Sequence, residues 1–255
     1  MSPEQGLAFL CAMVIGLSLG ALGSGGSIVT LPVLVYVAHI HPKSAVGMSM
    51  AIVGATSMVG AWLHWRRGNF HNKAALLLGV SGMAGAYLGS TFTHLVSSSA
   101  LLLIFAAIML VVSVVMFRGG FQGLTPGQCR PLRCAVVGAA VGVLTGFLGV
   151  GGGFLIVPAL VLLAGLDTKK AVGTSLAIIA ANSFSGLAGQ LRYAPVDWRL
   201  TAEFTALALA GMWIGLLLSN RVSEPALRKA FAALLLAVAV TVGGMVLLQA
   251  ELYSG

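Results

Sequence analysis

The sequence has little charge. Charged residues make up 8% of its 255 positions, and only six are acidic. A soluble domain carries about 25% charged residues. This chain cannot cover its surface with hydrated groups, so a soluble fold is excluded. Disorder is excluded for the opposite reason, because 58% of the residues are hydrophobic. Cysteine is scarce too: Cys11 and Cys134 sit in apolar runs, Cys129 in a loop, and no zinc spacing results. Ser-x-x-Lys, His-Glu-x-x-His, Gly-x-Ser-x-Gly and phosphate-loop patterns are missing, so no enzyme signature is evident. The N-terminus lacks a basic region and an Ala-x-Ala site, and the first apolar segment reads as part of the mature fold. The net charge of +8 therefore points to basic loops of a membrane protein rather than to nucleic acid.

What is there is apolar sequence cut into blocks: about 6–38, 45–64, 74–94, 99–117, 132–165, 171–191, 200–219 and 226–250. Most suit one transmembrane helix of ~20 residues. Blocks 6–38 and 132–165 are too long for that, and each is broken by glycines: Gly23-Ser24-Gly25-Gly26 in one, Gly149-Val150-Gly151-Gly152-Gly153 in the other. These two blocks repeat one another. An offset of 126 residues carries Gly23, Gly25, Gly26 and Pro32 onto Gly149, Gly151, Gly152 and Pro158. It also carries Lys43-x-Ala45-Val46-Gly47-x-Ser49 onto Lys169-x-Ala171-Val172-Gly173-x-Ser175, with 17 identities in the 38 positions of 23–60. Internal repeats of this kind are typical of transporters.

The distribution of basic residues bears on topology. If each glycine-broken block is a single crossing, the 14 Lys and Arg divide eight against six. If each is a re-entrant hairpin, they divide eleven against three. The positive-inside rule favours the hairpins. The arms flanking the first glycine cluster agree: ~16 and ~12 residues give ~24 and ~18 Å, short of ~30 Å of hydrocarbon. The expected fold is an all-α polytopic membrane protein of two inverted-topology repeats, each a re-entrant helical hairpin plus three transmembrane helices. Residues 1–120 form the first repeat, with hairpin 6–38 and helices at about 45–64, 74–94 and 99–117. Residues 121–131 form a cytoplasmic connecting loop. Residues 132–255 form the second repeat, with hairpin 132–165 and helices at about 171–191, 200–219 and 226–250. Both termini are then periplasmic.

In such a fold the two hairpin tips meet near the midplane. The returning arms begin at about Ser27 and Phe154, where the first amides of a helix lack intrahelical partners and carry the positive dipole end. Two facing helix N-termini can hold an anion without lysine or arginine. The candidate substrate-binding residues are Gly23, Ser24, Gly25, Gly26, Ser27, Gly149, Gly151, Gly152, Gly153 and Phe154. The following helix of each half adds polar groups: Ser49, Thr56 and Ser57 in one, Thr174, Ser175, Asn182, Ser183 and Ser185 in the other. Of these, Ser49, Thr56, Thr174, Ser175 and Asn182 are taken as lining the path. Thr56 and Asn182 are repeat partners, each 13 residues past a loop lysine, or about 19 Å of helix rise and near mid-bilayer. Asn182 is the best side-chain candidate, because its amide is hard to satisfy within its own helix.

No Asp or Glu falls in the middle of a predicted crossing, which disfavours a cation pathway and favours an anion or neutral substrate. Arg66 and Arg192, another repeat pair, are candidates for a gate or anion funnel, with interfacial snorkelling as the alternative. His39-Ile40-His41 has no carboxylate or cysteine nearby, so no metal site and no cofactor is expected. His64, His94 and Glu203 are open candidates for proton coupling.

Gly146-Phe147-Leu148-Gly149-Val150-Gly151-Gly152-Gly153…Pro158, followed by Lys170-Ala171-Val172-Gly173-Thr174-Ser175, resembles the TauE/SafE sulfite-exporter family, also called the toluene-sulfonate uptake permease (TSUP) family. The first half carries a looser version, with Ser27 for the last glycine and Met48-Ser49 for Thr-Ser. The resemblance covers the whole chain. It implies a permease of the bacterial inner membrane that moves sulfite, sulfoacetate or a related sulfur-containing anion, as an ion-coupled exporter using protons or sodium. The alternatives are a passive anion channel and a permease for a non-sulfur organic anion. The partners expected are the small anion, the coupling ion, the lipid bilayer and no nucleic acid, with a homodimer left open.

Overall fold

The computed structural model describes residues 3–22, 26–117, 131–218, 233 and 235–246. Gly23, Ser24 and Gly25, the connection 118–130 and much of 226–250 lie outside the described residues. Within them every regular element is helical. In order these are α1 (Pro3–Leu22), α2 (Gly26–Pro32) running into a π-helical turn (Val33–Val37), α3 (Pro42–Arg66), α4 (Asn72–Phe92), α5 (Ser98–Phe117), α6 (Pro131–Leu148), α7 (Gly153–Ala164), α8 (Thr168–Gln190) and α9 (Trp198–Leu218). A further apolar stretch, Leu235–Val246, is α10. Helices are what a chain this apolar must form in lipid, since they satisfy their own backbone hydrogen bonds. Their ends are set locally. Pro42 opens α3 at its first turn, and Gly68, at φ 75°, closes it. Asp167 accepts from the Lys170 amide at the start of α8, and Asp197 accepts from the Leu200 amide at the start of α9.

Among the described residues, four helices are long and apolar enough to cross a membrane: Pro42–Arg66, Asn72–Leu95, Lys169–Gln190 and Trp198–Leu217. Around the glycine clusters the arms are unequal. The outgoing arm α1 has 20 residues, ~30 Å, rather than the ~16 expected, because the helix continues to Pro3; it is therefore not too short to cross, and the arm-length argument fails for it. α6 has 18 residues. The returning arm α7 has 12 residues, ~18 Å, too short to cross alone. Gly26 packs on the Ile15 carbonyl and Leu19. Eleven residues of continuous helix would separate Gly26 from Ile15 by ~16 Å, so the chain turns back between them.

The helices pack through glycine. A methyl group on Gly142 or Gly146 would collide with the α4 backbone at Gly82 or Ala86. One on Gly16 or Gly20 would collide with the α9 backbone at Ala208 or Met212. All four contacts are related by the 126-residue offset seen in the sequence: Gly16 with Ala208 corresponds to Gly142 with Gly82, and Gly20 with Met212 to Gly146 with Ala86. Such small residues let backbones approach, which is how helices gain packing in lipid. The pairings α1–α9 and α4–α6 surround α3 and α8. In α3 and α8, 72% and 67% of the spanning stretch is buried inside the protein; in α4 and α9 the figure is 39%. The outward faces of α4 and α9 carry Leu76, Val80, Leu88, Trp213 and Leu217, all exposed to what would be lipid.

Candidate functional site

The turn between α6 and α7 holds three of the five glycines with positive φ among the described residues. Gly149, Gly151 and Gly152 have φ of 74°, 67° and 77°, the left-handed region that other residues enter at ~1–2 kcal/mol. The Gly149 and Val150 amides return to the Thr145 carbonyl, at 2.9 and 3.4 Å, and the Leu155 and Ile156 amides to the Gly152 carbonyl, at 3.0 and 3.1 Å. Between them, the amides of Gly151, Gly152 and Gly153 donate to no protein group among the described residues. These are the unpaired donors of a helix start, carrying its positive dipole end.

The turn is wedged between α3 and α8. A Cβ on Gly149 would meet Val46; one on Gly151 would meet Val53 at 2.7 Å, Ile179 at 2.9 Å and Ser183 Oγ at 2.9 Å; one on Gly152 would meet Thr145. Val46, Ser49 and Val53 lie at i, i+3 and i+7, so Ser49 shares the α3 face that touches the turn. Ser57 continues that face one turn on. Ile179 and Ser183 are one turn apart on α8, with Asn182 beside them.

The polar atoms here are unusual in having no partner. Ser49 Oγ, Ser57 Oγ, Ser183 Oγ and both amide atoms of Asn182 are buried without a hydrogen bond. An orphaned buried polar group costs about 1–3 kcal/mol, so such a cluster calls for an explanation. The electrostatics are simple. Among the described residues, every side chain in the polar part of the buried core is Ser, Thr, Asn or Gln. The turn thus offers amides, hydroxyls and one carboxamide, and no fixed charge. That combination can hold a small polar or anionic group by hydrogen bonds and release it without breaking a salt bridge.

The other residues singled out from the sequence fall in several places. Gly26 and Ser27 are buried at the start of α2. Gly153 is the first residue of α7, and the side chain of Phe154 lies outside the described residues. Asn182 abuts Gly82 of α4, whose Cβ would lie 2.6 Å from Oδ1. Thr56 Oγ1 donates to the Ile52 carbonyl at 2.8 Å, within its own helix. Ser175 Oγ donates likewise to Val172, at 2.8 Å. Thr174 Oγ1 accepts from the His71 amide at 3.0 Å, tying α8 to the loop before α4. Arg66 is exposed and lies over the Trp62 ring, 4.2 Å from its centre. Arg192 is exposed. His94 stacks on Tyr193 at 4.1 Å, and Glu203 pairs with Arg199 at 3.3 Å. No group of three metal-ligating side chains exists among the described residues. Ser183, whose Oγ lies against Gly151, is not among the residues that the sequence places along the path. Its signal was the identity of the repeat pair Ser57 and Ser183, where Thr56 and Asn182 differ.

Comparison with known proteins bears on this arrangement. The family model for sulfite exporter TauE/SafE matches residues 8–242. The chain belongs to the TauE/SafE family. A probable membrane transporter protein of Xylella fastidiosa (strain 9a5c) is 36% identical over 240 residues, covering 90% of this chain and 91% of that protein. YdhB of Bacillus subtilis, also named a probable membrane transporter protein, is 26% identical over 230 residues, covering 88% and 94%. A probable membrane transporter protein of Methanocaldococcus jannaschii is 30% identical over 111 residues, 41% of this chain. No solved structure matches. This TauE/SafE protein is a multi-pass membrane transporter, in keeping with its apolar helices.

Proposed function

We propose that the protein is a secondary transporter for a small oxyanion of the sulfite or organosulfonate class, bound where the Gly149–Gly153 turn meets α3 and α8. The observation that carries this reading is the set of unpartnered buried polar atoms beside that turn, namely Ser49, Ser183 and Asn182. An oxyanion supplies only acceptors, and the turn amides, the hydroxyls and the Asn182 NH2 group supply donors. The sulfur chemistry of the family name is the reason for testing sulfite first.

The two halves are read as inverted repeats. The 126-residue offset in sequence and the glycine contacts related by the same offset support this. Each repeat is then a re-entrant hairpin followed by three crossings, with both termini in the periplasm and the protein in the bacterial inner membrane. Under that offset Gly25 corresponds to Gly151 and Ser57 to Ser183, and the start of α2 at Gly26 and Ser27 belongs to the opposing wall of the site. Turn contacts with α3 and α8 are made in one packing and remade in another as the halves rock, and the anion changes sides. Coupling to protons or sodium makes the movement concentrative.

The decisive experiment titrates purified protein with sulfite, thiosulfate, sulfoacetate, taurine and carboxylates, then measures flux of the best binder into proteoliposomes. Binding of a sulfur oxyanion with gradient-dependent accumulation is expected. Preference for carboxylates refutes the substrate class, and flux that never exceeds equilibrium makes the protein a passive channel.

A further inference from the structure

A second site lies away from the glycine turn, at the end of the bundle where the loop before α3 meets the start of α5. A cavity of about 550 Å³ opens there. Its polar wall is Tyr36, His39, His41, Ser98 and Ser99. Tyr36 comes from the π-helical turn after α2, and its hydroxyl is buried without a partner. His39 holds φ 55°, a conformation rare for a residue with a side chain, and this kink carries the His-Ile-His loop over the cavity. His41 Nε2 lies 3.5 Å from Ser98 Oγ. Ser97 accepts from the Ala100 amide and fixes the first turn of α5, whose 20 residues direct their positive end to this wall. The rest of the lining is apolar, with Val35, Leu102 of α5 and Val246 of α10.

The wall is rich in donors. Each imidazole carries at least one N–H, and the tyrosine and two serines add hydroxyls. Among the described residues, neither a carboxylate nor a thiol lines it, and no third metal ligand joins the two histidines. A cation would find no anionic ligand among these described groups. We propose that this cavity is a second binding site, for a phosphate-type oxyanion head, separate from the central site and independent of its reading. The apolar wall suits a head that carries an acyl chain, and the volume also admits the free ion. Both sources share the chemistry that His39, His41 and Tyr36 would recognise.

The test uses the full-length protein in detergent with two probes: inorganic phosphate by calorimetry, and phosphatidylglycerol against phosphatidylcholine by native mass spectrometry. The variant His39→Asn/His41→Gln keeps the loop residue in a type that tolerates positive φ. Tyr36→Phe keeps the ring, and Asn182→Leu alters only the central site. Binding of phosphate or selective retention of phosphatidylglycerol is expected. The histidine variant weakens it ~10-fold or more and Tyr36→Phe by ~3-fold, as expected for lost hydrogen bonds to a charged group; Asn182→Leu leaves it unchanged. Phosphate binding identifies a soluble anion, and phosphatidylglycerol binding alone identifies a lipid head. If neither probe binds, or if the histidine and tyrosine variants bind as well as the parent protein, the proposal is overturned. Loss of this binding in Asn182→Leu would assign the anion to the central site instead and would also overturn it.

Discussion

α3 and α4 follow one another in the chain and have similar lengths, 25 and 21 residues, yet they do different work. So do their counterparts at the 126-residue offset, α8 and α9. α4 and α9 turn apolar faces outward and use glycine and alanine on the inner face to seat α6 and α1. α3 and α8 are largely enclosed, and their buried faces carry Ser49, Ser57, Asn182 and Ser183. A polar residue facing lipid would cost more than it contributes. The enclosed pair is therefore where a membrane protein can keep polar atoms, and also where it can leave them available to a guest. Length and hydropathy do not separate the two kinds of helix; the position of polar residues relative to small ones does.

That comparison can be broken most directly at the turn the enclosed pair supports. Gly152→Leu combines a φ of 77° with a collision against Thr145. Transport in proteoliposomes is expected to fall ~100-fold or more, since small misplacements in a positioned site cost that much. Membrane insertion, measured by protease protection, should persist. Undiminished flux would remove the turn from the mechanism.

A smaller effect is expected at Asn182. Asn182→Leu deletes an amide that has no protein partner, so thermal stability should be unchanged or raised. Anion binding should weaken by ~10-fold or more, the scale of a hydrogen bond to a charged group. A loss of stability with full binding would make Asn182 a packing residue of the α4–α8 contact.

The smallest effects sharpen the contrast. Thr56 is the repeat partner of Asn182, but its hydroxyl is already bonded to Ile52. Thr56→Val and the outward-facing Val80→Ala should each change sulfite flux by less than about twofold, the usual range for positions away from a site. A large effect at Thr56 would mean that its hydroxyl leaves the helix during transport.

Several features were legible without coordinates. Charge scarcity and block lengths required helices in a membrane, and the offset from Gly23 to Gly149 set apart two related halves. Asn182 stood out because its amide is hard to satisfy within its own helix. The roles of near neighbours were not legible. Thr56, Ser175 and Ser183 look alike in sequence; the first two bond their own helices, while Ser183 stands against Gly151 with no partner. Which hydroxyl is consumed locally depends on side-chain rotation and on what lies across the contact. The cavity beside His39 and His41 was likewise hidden, because Ser98 and Val246 are far from that loop in the chain.

The sequence alone determined the solvent, the secondary structure and the duplication, because hydropathy and helical rise act residue by residue along the chain. Only the tertiary structure decided which helices are enclosed, which glycines admit a neighbouring backbone, and which buried polar atoms remain unpaired. Those outcomes depend on contacts between residues distant in the chain, and no local pattern encodes them.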